Sequence, residues 1–147
     1  VAISGQIFDE RYRSFREDAE LAFRLRERGW EILYEPAAVA EHRRRVLPER
    51  RSALPPAVNL HSLKNRYLLR IDHQTLGNFF WTLPATLARD LAALAWVLLR
   101  ERSSLPAYAW LWRHRRELVA HRQFVQRRRS VPTQAIGRWV LRPAEPL

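Results

Sequence analysis

The chain contains no cysteine. Disulfides, thiolate catalysis and Cys-based zinc sites are therefore excluded, and a reducing compartment is the setting the composition fits. Methionine is absent too, even from position 1, so the sequence reads as a fragment whose N-terminal part is missing. No charged stretch leading into an apolar run and a cleavage site opens it. Instead "VAISGQIFDE" reads as the end of a strand running into a loop. Glycine is scarce and forms no Gly-rich phosphate loop, and there is no Asp-x-Asp pair. Lys64 is the only lysine, a bias toward arginine that a GC-rich gene would produce.

What is present suits a folded protein. At 147 residues, 47% hydrophobic and 28% charged, the chain is long enough for one domain with a core. The net charge of +11 is unevenly spread. Residues 1–49 carry nine Arg against ten acidic residues, and nearly all of the excess positive charge lies beyond residue 50. Codon bias does not explain why the acids thin out there, so the two parts are expected to meet different partners.

Ser14 and Glu17 have capping-box spacing, so a helix is expected to start near residue 15. Asp18 suits equally well the cap of a helix starting a few residues later. Leu21, Ala22 and Leu25 share a face of this helix, and Gly29 suits the left-handed position that ends it. "WEILYEP" alternates like a half-buried strand halted by Pro36, and "AAVAEH" reads as a second short extended run. A basic, Pro-containing connector follows. Helical spacing returns in "VNLHSLKNRYLLRI", with Leu60, Leu63, Tyr67 and Ile71 on one face. Further on, Leu76, Phe79, Phe80, Leu83, Leu87, Leu91, Leu94 and Leu98 form a long apolar stripe, interrupted at most by Pro84. Ser103 or Ser104 with Pro106 opens another helix, in which Tyr108, Leu111, Trp112, Leu118, Val119 and Val125 share a face.

Three segments in order carry a resemblance: "FDERYRSFREDAELAFRLRERGW", "ILYEPAAVAEHRRR" and "HSLKNRYLL". The set resembles the C-terminal half of the catalytic domain of family-2 inverting glycosyltransferases, most closely the bacterial rhamnosyltransferase-like branch. That resemblance implies an α/β fold, a partial GT-A (Rossmann-like) catalytic domain over residues 1–75; the apolar periodicity adds amphipathic α-helices over 76–147. It implies that Asp18 is the general base that takes the proton of the acceptor hydroxyl. Glu17 would bind the acceptor, His42 would be a ligand of the Mg²⁺ or Mn²⁺ that holds the donor pyrophosphate, and Arg24 and Trp30 would be structural. Glu20 stands where the family usually has Asp. Donor-nucleotide elements of such enzymes lie N-terminal to this half, so the fragment alone is expected to be inactive.

The residues fit these roles on physical grounds. Inverting transfer needs one carboxylate within hydrogen-bond reach of the acceptor oxygen. A helix N-terminus keeps such a carboxylate ionised and fixed in direction. Carboxylate, imidazole and phosphate oxygens together suit a hard divalent cation. Without the other motifs, Glu17 and Asp18 are explained by helix electrostatics, and His42 reads as a surface histidine. Arg43, Arg44 and Arg45 form a solvated basic loop or a phosphate contact. His61 and His73 match no metal-ligand spacing and are read as structural.

The stretch 79–99 is about long enough to span a bilayer at roughly 1.5 Å per residue. Arg89 and Asp90 lie near its middle, each charge costing roughly 2.5–3.5 kcal/mol to insert. A helix lying in the interface is therefore favoured over one that spans. Trp81, Trp96, Trp110, Trp112 and Trp139 would sit at headgroup depth, with Arg100, Arg102, Arg113, Arg115, Arg116 and the run Arg127, Arg128, Arg129 facing anionic lipid. A packed helical subdomain is the plainer alternative. The expected partners are a nucleotide-sugar donor, a saccharide or lipid-linked acceptor in cell-surface polysaccharide synthesis, and an anionic membrane surface. The expected location is peripheral, on the cytoplasmic face of a bacterial membrane. A basic nucleic-acid-binding module is disfavoured, because no recognition motif appears and the aromatics follow apolar helix faces. A non-catalytic membrane-surface scaffold is the other alternative.

Overall fold

The computed structural model describes residues 6–41 and 54–136. Their regular structure consists of α1 (Glu17–Glu27), α2 (Pro56–His73), α3 (Leu76–Leu99), a 3₁₀ turn (Arg102–Ser104), α4 (Leu105–Arg113) and α5 (Arg115–Arg127). The α/β, Rossmann-like expectation is overturned: the described residues contain no β-strand and the fold is all-helical. Residues 30–41, where two strands were expected, are irregular. The alternation of Trp30, Ile32 and Tyr34 is real, but a strand needs a neighbour to take its N–H and C=O groups. None lies beside it among the described residues. Consequently Ile32 is 46% exposed and Leu33 and Tyr34 are both 83% exposed, so neither side of the segment faces a core.

Local sequence explains the helix limits. Acidic Glu17, Asp18 and Glu20 in the first turn of α1 and basic Arg24 and Arg26 in the last complement the helix dipole. Neither expected cap forms: the N-cap is Arg16, which receives no side-chain cap. The end follows the sequence closely. Gly29 takes φ 82°, its N–H donates to the Arg26 carbonyl at 3.0 Å and that of Trp30 to Leu25 at 3.1 Å, which is a Schellman closure. Pro56 lies in the first turn of α2 and Pro106 in that of α4. Thr75 caps α3 by accepting from the Asn78 N–H at 3.2 Å. The single helix expected beyond Ser104 is broken at His114 into α4 and α5.

α2 is the central helix, flanked by α4, α5 and the 3₁₀ turn, with α1 laid against it. One apolar cluster joins Tyr12, Leu68 and Leu118, and another joins Leu63, Val97 and Ala107. Apolar packing is only part of the interior: among the described residues, twelve polar or charged side chains are buried against eight apolar ones. Such an interior holds only if its polar groups are paired.

α3 runs back along α2. Gln74 reaches Thr82, Arg70 pairs with Asp90 at 2.6 Å, and Leu63 joins Val97, so falling positions on α2 meet rising ones on α3. The expected apolar stripe of α3 exists but faces outward: Leu76, Phe80, Leu87 and Leu91 are between 54% and 71% exposed. At roughly 100° per residue, Asn78, Thr82, Ala85, Thr86 and Arg89 share the side opposite that stripe. The helix therefore turns its polar side to the protein and its apolar side away.

Candidate functional site

The first and third of the segments that carry the family resemblance, far apart in sequence, meet in one polar interior, while the described part of the second is exposed. Between Asp9 and α1 the chain makes tight turns, with Arg13, Phe15 and Arg16 all at positive φ (52°, 69° and 64°). Non-glycine residues hold such angles only where their surroundings impose them. The clamp is Asn65 of α2, whose side-chain amide donates to the carbonyls of Tyr12 (2.7 Å), Ser14 (2.6 Å) and Phe15 (2.7 Å). Lys64, one residue earlier, donates to the Arg11 carbonyl at 2.5 Å. Desolvation, helped by Arg13 and Arg11 nearby, lowers the Lys64 pKa to about 8.

Two ion networks flank this clamp. In the first, Arg24 grips Glu20 through two bonds of 2.9 Å and donates to the Ile7 carbonyl at 2.6 Å. Glu27 accepts from Arg129 at 2.8 Å and sits 2.9 Å from Nδ1 of His73. Burial works against charge on His73, but its hydrogen bonds to Glu20 and Glu27 outweigh it and push the pKa up to about 9. His73 is therefore a cation at neutral pH, stacked on Phe23. In the second network, Arg11 Nη2 lies 2.5 Å from Asp9, 2.6 Å from Asp72 and 2.7 Å from Nδ1 of His121. Burial disfavours the charge of Asp9, yet the bonds from Arg11 hold its pKa below the usual value.

That second network has the donor set of a metal site, since ligand atoms of Asp9, Asp72 and His121 lie within 4.8 Å of one another. It does not fit Mg²⁺ or Mn²⁺, because the Arg11 guanidinium already fills the point where the three converge. The expected metal ligand, His42, and the expected phosphate contacts Arg43, Arg44 and Arg45 lie outside the described residues.

Glu17 and Asp18 stand in the first turn of α1, immediately after the clamped turns. Asp18 is exposed, with Oδ1 accepting from the Ala19 N–H at 2.8 Å. Glu17 is half-buried, and its Oε2 is shielded from solvent with no hydrogen-bond partner. Neither carboxylate is held in an ion pair among the described residues. Sequence reasoning missed Arg11, Asn65 and His73 as organisers of this region. Their signal was compositional: five polar residues of α2 (Asn59, Lys64, Asn65, Asp72 and His73) fall on buried positions of a helix read by its leucines. Comparison of the chain with protein-family models, with curated proteins and with solved structures gave no match.

Proposed function

We propose that this chain supplies the acceptor side of an inverting glycosyl transfer, moving a sugar from a nucleotide-sugar donor to a saccharide or lipid-linked acceptor at a membrane surface. The observation that carries the reading is the convergence on one clamp. Asp9 of the first motif segment, the Glu20–Arg24 pair of α1 and Asn65 of the third segment form a continuous polar interior, and Asp18 stands free beside it. Rigid turns before a helix give its first carboxylates a fixed direction.

In this reading Asp18 accepts the proton of an acceptor hydroxyl through an oxygen not engaged by Ala19. The acceptor oxygen then forms its bond to the anomeric carbon as the bond to the nucleotide diphosphate breaks on the opposite face, which inverts the centre. Glu17, beside it in the first turn, binds the acceptor through its carboxylate. Dependence on Mg²⁺ or Mn²⁺ belongs to the same proposal through His42, and no step here is routed through the ion. Membrane contact is assigned to the outward apolar face of α3, a 24-residue helix whose most apolar stretch is 6% buried.

The test is Asp18→Asn in the whole gene product, assayed for transfer of labelled sugar to membrane acceptors. Turnover should fall roughly 10²–10⁴-fold with donor binding little changed. Near-normal turnover would overturn the reading and leave a non-catalytic membrane-surface scaffold.

A further inference from the structure

A cleft of about 600 Å³ lies between α1, α2 and α3. That volume is in the range of small-molecule sites. Its walls contain four arginines, Arg16, Arg66, Arg70 and Arg89, together with His73, and no aspartate or glutamate among the described residues. The cations are not equivalent. Arg70 is neutralised by Asp90 at 2.6 Å and His73 by Glu27 at 2.9 Å. Arg16 donates to the Ser62 carbonyl at 2.9 Å. Arg66 and Arg89 have no ion pair or hydrogen bond to any described residue. The carboxylate beside Arg89 in sequence, Asp90, is taken by Arg70.

Arg66 is half-buried and Arg89 exposed, and like charges that share a cleft favour an anion between them. Arginine pairs of this kind suit a phosphate, which takes several charge-assisted hydrogen bonds from planar guanidinium groups. The Asn78 side-chain amide, on the same wall, also makes no hydrogen bond to a described residue and adds a neutral donor. Beside Gln74, Thr82 and Thr86 the lining has an apolar part, made by Phe23, Leu69, Ala85 and Ile136. A small inorganic anion would leave those groups wet. An amphiphile would use both parts of the lining, and the helix that forms one wall carries an apolar outer face that suits a lipid surface.

We propose that this cleft binds a lipid phosphate ester, with Arg66 and Arg89 on the phosphate and the Phe23, Leu69 and Ile136 surface on the first carbons of the chain. Asp18 does not line this cleft, and the proposal does not rest on glycosyl transfer.

The probe is monomeric dihexanoyl phosphatidate, titrated into the full chain below its micelle concentration. Binding should be saturable with one site. Inorganic phosphate, which has the head without the chain, and dihexanoyl phosphatidylcholine, which has the chains with a neutral head, should each bind at least roughly tenfold more weakly, since each forfeits one half of the lining. Arg66→Gln with Arg89→Gln should lower phosphatidate affinity at least roughly tenfold by removing the charge-assisted bonds. Arg113→Gln with Arg116→Gln, the same charge change on exposed positions of α4 and α5, should leave it within about twofold. Ala85→Trp fills the cleft without altering charge and should abolish binding, which decides the matter if the double-arginine variant does not fold. Equal affinity for inorganic phosphate overturns the lipid assignment. Equal losses in both arginine pairs, no loss in either, or undiminished binding by Ala85→Trp overturns the site.

Discussion

The side-chain amide of Asn65 in α2 donates to the backbone carbonyl of Phe15 at 2.7 Å, and its two protons also serve the carbonyls of Tyr12 and Ser14. One side chain thereby imposes the left-handed turns from which α1 emerges with Glu17 and Asp18 in its first turn.

Removing that clamp should be costly. Asn65→Ala strands buried carbonyls and is expected to lower stability by roughly 2–4 kcal/mol in urea unfolding. Asn65→Asp should cost more, because a carboxylate offers no proton to three carbonyl oxygens. A loss under about 1 kcal/mol for Asn65→Ala would mean that the turns hold themselves.

The buried imidazole gives a pH signature. The folded pKa of His73, about 9, lies above the ordinary value of 6.5. Its contribution is therefore fully present below pH 6.5 and is lost as pH rises through 9. The stability gap between the native chain and His73→Gln should be largest near pH 6, up to roughly 3 kcal/mol, and should close as pH approaches 9.5. A gap that is constant over this range would show that His73 is not charged in the fold.

Gly29 closes α1 at φ 82°, and a Cβ there would meet Ser130 Oγ at an ordinary 3.5 Å. Space is therefore not the constraint, and backbone conformation is. Gly29→Ala should destabilise by roughly 1–2 kcal/mol, the cost of the left-handed region for an L-residue. Thermal unfolding of Gly29→Asn, which tolerates this region better, should fall between the two.

The outward stripe of α3 separates membrane contact from packing. Leu87 and Leu91 are 54% and 58% exposed, so Leu87→Gln with Leu91→Gln should change unfolding free energy by about 0.5 kcal/mol or less per site. The same pair should weaken binding to anionic vesicles in co-sedimentation at least roughly tenfold, since each leucine forfeits a large part of the roughly 1.5–3 kcal/mol of its full burial. A marked drop in stability with undiminished vesicle binding would assign this stripe to packing within the protein.

Helices were legible where the sequence supplied both a period and a punctuation mark. Gly29 ended α1 as read, and Pro106 marked the start of α4. The two strands of residues 30–41 were not realised, because alternation describes what a strand offers and says nothing of whether a partner is present. The stripe of α3 was legible as a stripe, but periodicity does not say which way it points. Its direction is set on the other face, by Asn78, Thr82 and Arg89 toward the cleft and by the pairing of Asp90 with Arg70. Asp18 and Glu17 are singled out by motif alone, and their roles belong to the proposal. Arg66 and Arg89 were hidden among many arginines, and only their shared cleft sets them apart.

Gln74 and Thr75 are the whole of the joint between α2 and α3. A joint that short leaves the two rods little freedom to slide, so their relative motion is chiefly a change of angle. The gap that holds Arg66 and Arg89 is thus a wedge with one adjustable dimension, and the Arg70–Asp90 pair is the tie across it. That tie is part-exposed and open to screening by salt. Ionic strength therefore acts twice on the wedge, by shielding the cations inside it and by slackening the brace that sets its width.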